Sequence, residues 1–196
     1  MKMPRGPFSS RTDRPMPLRF RKHIRLPDHD YTQGAYFVTL CTKSRMQVFG
    51  RILGTDATAR MELTAVGHIA DECWRAIPDH FPHVRLHAMQ IMPDHFHAIL
   101  ELDRGHVHGN VEATRWVAAT DAVGGSRRIA NGPRRGSLAA IVGAFKSETT
   151  KRVNRLKETP RRSLWQPNFY ERTIREHYGE WGRIAQYIAE NPMNWR

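Results

Sequence analysis

Two extended runs around a short turn constrain the fold of this chain more than any other feature. Residues 84–92 alternate apolar and polar side chains over their first half, and residues 95–102 form a second, mostly apolar run. Pro93 and Asp94 separate the two runs, and both residue types favour turns. The sequence therefore predicts a β-hairpin in this region.

Strands and helices are predicted to alternate on either side of this hairpin. Residues 35–41 are β-branched and aromatic, as in a buried strand, and apolar residues in 64–77 recur at helical spacing up to Pro78. Gly50 and Gly54 predict only a turn region between them. The remaining predicted elements are a helix capped by Ser137 and running to about Leu156, a short strand at 169–174, and a helix from near His177 to Asn191, before Pro192.

The order of these elements, β-α-β-β-α-β-α, indicates the fold class. We expect an α+β protein with a ferredoxin-like sandwich, in which an antiparallel sheet has helices packed on one face. The 196 residues have the length of one domain with extensions. Residues 1–30 are basic and rich in proline, which predicts an extended N-terminal arm before a folded domain over 31–196. Glycine-rich residues at about 103–136 lack periodicity and predict a loop insertion within that domain.

The compartment follows from what the sequence pattern lacks. We find no signal peptide and no apolar segment long enough to cross a bilayer. Cys41 and Cys73 lie among apolar residues without CxxC spacing, which is typical of reduced thiols. We therefore expect a soluble, cytoplasmic protein.

The charge balance indicates a polyanionic partner. Lys and Arg total 31 against 19 acidic residues, which gives a net charge of +12 and a pI near 10.5. Cations that dock on phosphates release condensed counterions, so an excess of this size favours nucleic-acid binding. The alternative is a basic protein whose charge serves only its solubility.

A pair of histidines within the second strand of the hairpin is the clearest candidate for chemistry. On a strand, His95 and His97 project from one face and Phe96 projects from the other. Two imidazoles at neighbouring positions on one face can share a metal ion. The alternative is a hydrogen-bonded histidine pair in the core or on the surface. A second pair, His106 and His108, lies in the glycine-rich loop, where no strand fixes its geometry.

The last predicted helix supplies a tyrosine and an asparagine. Tyr187 and Asn191 lie about 40° apart around the helix, one turn above the other. An apolar stripe of Trp181, Ile184 and Ile188 lies beside them, so Tyr187 is at the border of the buried face. Its phenol can reach a cleft there, and the carboxamide oxygen of Asn191 could be a third metal ligand. Ordinary packing at the boundary of the core is the alternative for Tyr187.

Five segments of the chain carry a specific family resemblance. They are, in order, YFVTLCTKSR, MPDHFHAIL, SLAAIVGAFKSETTKRVN, WQPNFYERTIR and YIAENP. Together they resemble the REP-associated tyrosine transposases, relatives of the single-tyrosine insertion-sequence transposases in the HUH endonuclease superfamily. The resemblance extends from about Arg21 to the C-terminus and omits only the stretch around 103–136.

This resemblance implies roles for particular residues. His95 and His97 would bind Mg²⁺ or Mn²⁺, Asn191 would be a further ligand, and Tyr187, which opens the Tyr-Ile-x-x-Asn-Pro motif, would be the nucleophile. Asp94 is a departure, because the family commonly has Asn before the first histidine. The implied reaction cuts single-stranded DNA through a 5′-phosphotyrosine link and transfers the strand without ATP. The implied substrate is a repetitive extragenic palindrome, folded as a hairpin with a single-stranded flank.

Candidates for DNA contacts lie mainly in the helix that Ser137 caps and just after it. Residues 133–162 contain nine Lys or Arg against two Glu, and bases of a single strand also need aromatic platforms for stacking. A solvated charged face and core aromatic residues are the alternatives. The candidate backbone contacts are Lys146, Lys151, Arg152 and Arg155, and the candidate stacking platforms are Trp165, Phe169 and Tyr170.

Two other functions remain open at this level. One is a domesticated protein that binds DNA hairpins without cleaving them, although binding alone requires none of His95, His97, Tyr187 and Asn191. The other is a metal-dependent phosphoesterase that activates water, with Tyr187 in a structural role. The sequence does not decide between a monomer and a homodimer.

Overall fold

The computed structural model of the protein describes residues 29–103, 133–175 and 179–195. Residues 1–28 of the predicted arm and most of the predicted insertion lie outside these residues. The strands are β1 (Gly34–Cys41), β2 (Gly50–Leu53), β3 (Arg60–Leu63), β4 (Val84–Ile91), β5 (His95–Leu102) and β6 (Tyr170–Ile174). The helices are α1 (Ala65–Arg75), α2 (Ile77–His80), α3 (Leu138–Leu156) and α4 (Glu180–Glu190), with 3-10 turns at Lys43–Arg45, Asp56–Thr58 and Asn191–Asn194.

Four strands form one antiparallel sheet in the order β4-β5-β1-β6. The predicted hairpin is confirmed, because β4 pairs directly with β5 across the turn that contains Pro93 and Asp94. The first and last strands of the sheet in the sequence, β1 and β6, are neighbours, and β1 separates β6 from the hairpin. The predicted α+β class and its antiparallel sheet are therefore confirmed.

One face of the sheet is covered by α1 and α3. Trp74 of α1 lies at the centre of this core, with ring centroids 4.6 Å from Phe96 of β5 and 5.2 Å from Phe145 of α3. Tyr36, Val38 and Leu40 of β1 and Ala98 and Leu100 of β5 project into the same core. The alternating side chains of both central strands thus direct one set of residues against two helices.

The opposite face has its own apolar cluster, and α4 covers it. Phe37 of β1 and Ile99 of β5 pack there against Ile174 of β6 and Ile188 of α4. The expectation that all helices share one face is therefore wrong for α4. The physical reason is that both central strands are apolar on both faces, so the second face also needs cover.

A small two-stranded ribbon replaces the turn region expected around Gly50 and Gly54. Strands β2 and β3 pair antiparallel, with Gly50 opposite Leu63. A side chain at Gly50 would place its Cβ 2.0 Å from the carbonyl oxygen of Glu62, so the close approach of the two backbones requires glycine there. The sequence did not predict this ribbon because its strands have only four residues each and little burial.

Two proline residues mark helix boundaries differently from the prediction. Pro78 does not directly end α1, which stops at Arg75, but lies in the first turn of the short α2. Proline is tolerated at that position, since the first N–H groups of a helix have no internal partner. Pro192 likewise follows the end of α4 at Glu190 and lies within the final 3-10 turn.

The structure describes both cysteines and most of the predicted helices, which are the features behind the expected compartment. Cys41 and Cys73 are both free cysteines, the first partly exposed and the second buried. None of the helices in the described parts of the chain is long and apolar enough to span a membrane.

The central aromatic cluster predicts a large effect of truncation. We expect Phe145→Ala to lower the free energy of unfolding by about 3–5 kcal/mol, because it removes a fully buried ring and leaves a cavity. Leu156→Ala on the same helix is the matched control, since Leu156 is exposed and its loss leaves no cavity. Chemical denaturation of both variants measures the difference. Equal losses in the two variants would contradict the described core.

Candidate active site

The two histidines of β5 face each other across a short gap. The side chains of His95 and His97 leave the sheet on the face opposite the Trp74 core, and the residues are 7% and 6% exposed. Their Nε2 atoms are 3.0 Å apart. The Nδ1 atom of His95 lies 2.7 Å from Oδ1 of Asp94, and the Nδ1 atom of His97 lies 2.8 Å from Oγ1 of Thr39. Both Nδ1 atoms are thus engaged, and both Nε2 atoms converge.

The partner of Nδ1 determines what each Nε2 can do. The carboxylate of Asp94 accepts a hydrogen bond from Nδ1–H of His95, which leaves a lone pair on Nε2 of that ring. The Thr39 hydroxyl can accept from Nδ1–H of His97 in the same way. In this pair of tautomers two lone pairs face each other, an arrangement that a shared cation stabilises. Without a cation, one Nε2 carries a hydrogen and donates it to the other.

The spacing fits two ligands of one small divalent metal. Metal–nitrogen bonds of about 2.1 Å that meet at a right angle place the two nitrogens about 3.0 Å apart. This is the observed separation of the two Nε2 atoms of His95 and His97. The described residues contain no group of three or more His, Cys, Asp or Glu side chains that could hold a metal ion. Other ligands would therefore be water, substrate oxygens or an amide, as Mg²⁺ commonly accepts.

Burial keeps both imidazoles neutral. Desolvation lowers the pKa of His97 to about 3, and electrostatic interactions with His95 and with the guanidinium of Arg45 act in the same direction. Burial also lowers the pKa of His95, against the opposing effect of Asp94. Neutral imidazole is the form that binds a metal, so the site holds its ligands in the binding form at neutral pH.

Asp94 and Arg45 form a second layer around the histidines. The buried carboxylate of Asp94 binds His95 with one oxygen, and its Oδ2 lies 2.8 Å from Nε of the half-exposed Arg45. Nη1 of Arg45 is also 2.9 Å from Sγ of Cys41. Sequence reasoning treated Asp94 only as a tolerated departure and missed Arg45. An acid directly before the first histidine was a usable signal, whereas nothing in the sequence places Arg45 beside it.

Tyr187, the predicted nucleophile, lies next to the histidine pair. Its ring centroid is 5.5 Å from that of His97 and 6.2 Å from that of Phe37. Phe37 in turn stacks on His97 at 5.4 Å with an interplanar angle of 23°. Tyr187 is 52% exposed, so a substrate can approach it from solvent. The packing of α4 on the second face of the sheet thus brings a phenol beside two buried imidazoles.

Asn191 is less directly placed. It follows directly after α4, one turn beyond Tyr187, and its Nδ2 donates to the backbone carbonyl of Tyr187 over 3.5 Å. No described hydrogen bond joins it to His95 or His97, so its role as a third ligand stays a prediction. The following segment does reach the pair, because the ring of Trp195 lies 5.9 Å from the ring of His95.

The cations predicted to bind the DNA backbone lie on the face of the sheet opposite the histidine pair. They belong to α3, which packs on the Trp74 face. Nζ of Lys146 donates to the carbonyl oxygens of Gln166 at 2.9 Å and Asn168 at 3.0 Å, and burial lowers its pKa to about 8. Arg152 pairs with the carboxylate of Glu72. Lys151 and Arg155 are exposed and remain candidates for contacts with DNA outside the histidine site.

Two of the three predicted stacking platforms, Trp165 and Phe169, pack against the core, whereas the third, Tyr170, is 51% exposed. Trp165 is 4% exposed and packs between Phe49 at 5.1 Å and Phe145 at 5.5 Å. Its prediction as a platform is wrong, because an aromatic residue in a loop looks the same in sequence whether it faces solvent or core. Phe169 packs at the edge of the same core, with the ammonium of Lys146 5.5 Å from its ring centroid.

A solved structure with a similar fold supports this architecture. It is a REP-associated tyrosine transposase bound to a REP hairpin (17% identity, 85% of this chain, 71% of that chain, TM-score 0.53). The expected resemblance is thereby confirmed at the level of the fold. A candidate transposase from Deinococcus radiodurans is a weaker match (20% identity, 83% of this chain, 93% of that chain, TM-score 0.38).

A relative in sequence gives the family. An uncharacterized protein of Haemophilus influenzae is 31% identical over 182 residues, which cover 91% of this chain and 91% of that protein. The chain belongs to the same family as this protein. No family model matches the sequence.

The Asp94 carboxylate predicts a measurable effect on metal binding. We expect Asp94→Asn to weaken Mn²⁺ binding by about tenfold, because a neutral amide makes Nε2 of His95 less basic. Titration of tag-free protein with Mn²⁺, followed by electron paramagnetic resonance, measures the affinity. Glu62→Gln in the ribbon is the control, since it also removes one charge. Unchanged affinity in Asp94→Asn would show that Asp94 does not support a metal site.

Proposed function

We propose that the protein is a metal-dependent endonuclease and strand transferase of the transposase type, which acts on single-stranded DNA at hairpins. The observation that carries this proposal is the position of Tyr187, whose ring lies 5.5 Å from His97 beside the converging Nε2 atoms of the histidine pair. A nucleophile and a set of metal ligands are the two parts that such a reaction needs. The fold shared with a transposase that binds a REP hairpin supports the same reading.

His95 and His97 would hold Mg²⁺ or Mn²⁺ through Nε2, with Asn191 as the proposed third protein ligand. When bound, the cation would stabilise the negative charge that develops on the scissile phosphate. The side chains around the pair maintain the conditions for binding. Asp94 fixes the tautomer of His95, and burial keeps both rings neutral.

Tyr187 would perform the covalent step. Its phenolic oxygen attacks the phosphorus, the bond from phosphorus to the 3′-oxygen breaks, and a 5′-phosphotyrosine link forms. The phenolic proton passes to solvent, which reaches the half-exposed ring, and the departing 3′-oxygen takes up a proton. The stacked rings of Phe37 and His97 support one side of Tyr187 and limit the positions that its ring can adopt.

The same link would allow strand transfer. A second 3′-hydroxyl attacks the phosphorus, the bond to the tyrosine oxygen breaks, and the phenol regains a proton. One phosphoester replaces another in each step, so the cycle requires no ATP. The net charge of +12 favours binding of the polyanionic substrate, for which a repetitive extragenic palindrome with a single-stranded flank is the proposed form. The reaction would take place in the cytoplasm.

A covalent adduct tests the proposal. We expect wild-type protein, mixed with a labelled DNA hairpin and Mn²⁺, to form a band of DNA-linked protein on a denaturing gel. Tyr187→Phe should reduce this band at least a thousandfold, because it removes the attacking oxygen and keeps the ring. EDTA should abolish it. Tyr31→Phe is the matched control, since that tyrosine stacks on Tyr36, which projects into the core on the face opposite His95 and His97.

The other outcomes identify the competing functions. Cleavage without an adduct that persists in Tyr187→Phe would indicate a nuclease that activates water. Hairpin binding without cleavage in either protein, across several hairpins, would indicate a binding protein that has lost catalysis.

A further inference from the structure

A cleft opens beside Tyr187 on the edge of the sheet. Its volume is about 460 Å³, within the range of about 300–1,000 Å³ that is usual for small-ligand sites. Strand β6 forms one side and α4 forms the other. The lining side chains include Phe37, Tyr170, Arg172, Arg183, Ile184 and Tyr187. We refer to it as the Tyr170 cleft.

The Tyr170 cleft is continuous with the histidine site. In the register of the sheet, Thr39 of β1 pairs with His97 on one side and with Tyr170 on the other. Directly paired residues project from the same face, so these three form one row across three strands. Phe37 lies one position further along that face and contacts the rings of both His97 and Tyr170. A ligand at the histidine pair and a ligand in the cleft would therefore share one wall.

Aromatic surface dominates the open side of the cleft. Tyr170 is 51% exposed and Tyr187 is 52% exposed, although large aromatic residues usually bury their rings. The ring of Phe37 lies between them, 6.3 Å from Tyr170 and 6.2 Å from Tyr187. Tyr170 is the first residue of β6, which is an edge strand of the sheet that the described residues form. Exposed aromatic faces of this kind accept a planar base.

Charge in the cleft favours an anionic ligand. The lining of the cleft contains two guanidinium groups, those of Arg172 and Arg183, and one carboxylate, that of Glu180. Arg172 forms an ion pair with Glu180, whose other oxygen accepts the backbone N–H of Arg175 at 2.9 Å. The carboxylate is thus engaged within the protein, and Arg183 on the exposed side of α4 supplies the excess positive charge.

From this geometry, and resting on the proposed function, we infer that the Tyr170 cleft binds one unpaired nucleotide of the strand next to the scissile phosphate. Its base stacks on Tyr170, and a phosphate contacts Arg183. A base can offer its face to a side chain only when it has left the stack of a duplex, so the cleft selects the single-stranded flank and not the hairpin stem. Stacking is tolerant of sequence, because every base has a π face. Tyr170 and Arg183 therefore position the strand without reading it.

The test compares binding of hairpins that differ only in their flank. The probes are a fluorescent DNA hairpin with a single-stranded flank, the same hairpin without it, and a series with one abasic site at each flank position. Anisotropy in EDTA gives the affinities without cleavage. We expect Tyr170→Ala to weaken binding of the flanked hairpin by roughly 5- to 150-fold and to leave the hairpin without flank unchanged. Tyr170→Phe should bind like wild type.

A coupling measurement identifies the nucleotide. One abasic position should weaken wild type by the same factor as Tyr170→Ala, and that position should cause no further loss in Tyr170→Ala. Equal affinity of Tyr170→Ala and wild type for the flanked hairpin would overturn the inference. So would abasic losses that are the same in both proteins.

Arg183 supplies a second readout that does not depend on stacking. Arg183→Gln should reduce the slope of log affinity against log salt by about 0.7, the value for one phosphate of a single strand. Arg75→Gln is the matched control, since Arg75 lies on α1 at the other face of the sheet and pairs with Asp71. Equal slopes for Arg183→Gln and wild type would overturn the assigned phosphate contact.

The adduct gel separates failure of this inference from failure of the proposed function. An adduct at Tyr187 without coupling between Tyr170 and the flank would overturn only the inferred nucleotide site in the Tyr170 cleft. Coupling without an adduct would uphold a nucleotide site and reject covalent cleavage. Absence of both would overturn both.

Discussion

The pairing of β5 with β1 is the constraint on which the site depends. Because β5 lies inside the sheet, its alternating side chains are buried on both faces, and register decides which residues reach which face. Phe96 enters the core beneath α1 and α3, and His95 and His97 are left on the other face. A shift of one residue would exchange these sets. The same register sets Thr39 opposite His97, where its hydroxyl meets Nδ1 of the ring.

Burial of polar groups at this position is unfavourable unless each has a partner. His95, His97 and Asp94 are all buried, and every contact among them leaves the two Nε2 atoms turned toward each other. Arg45 balances the carboxylate from the solvent side. Each ring nitrogen has a partner in this geometry, and the convergence of the two Nε2 atoms is the feature that the proposed metal site would use. Because α4 packs on this face of the sheet, Tyr187 lies beside the histidine pair. The Tyr170 cleft extends from there toward the edge of the sheet.

Sequence periodicity predicted the parts of the fold that are long and regular. The hairpin and α3 were confirmed because eight or more residues repeat one pattern in each. The ribbon of β2 and β3 was missed because four half-exposed residues give too short a pattern. In the site, His95, His97 and Tyr187 carry recognisable motifs, and the structure brings them together. The surroundings of Arg45, Lys146 and Trp165 could not be predicted from the sequence, since loops and tertiary packing determine which residues they contact.

Diffraction from crystals of the protein soaked in Mn²⁺ would test the central claim most directly, with data collected to locate anomalous scattering from manganese. The account predicts one strong peak at about 2.2 Å from the Nε2 atoms of both His95 and His97, on the side that faces Tyr187. Manganese bound only elsewhere, with the two Nε2 atoms still in direct hydrogen-bond contact, would contradict it.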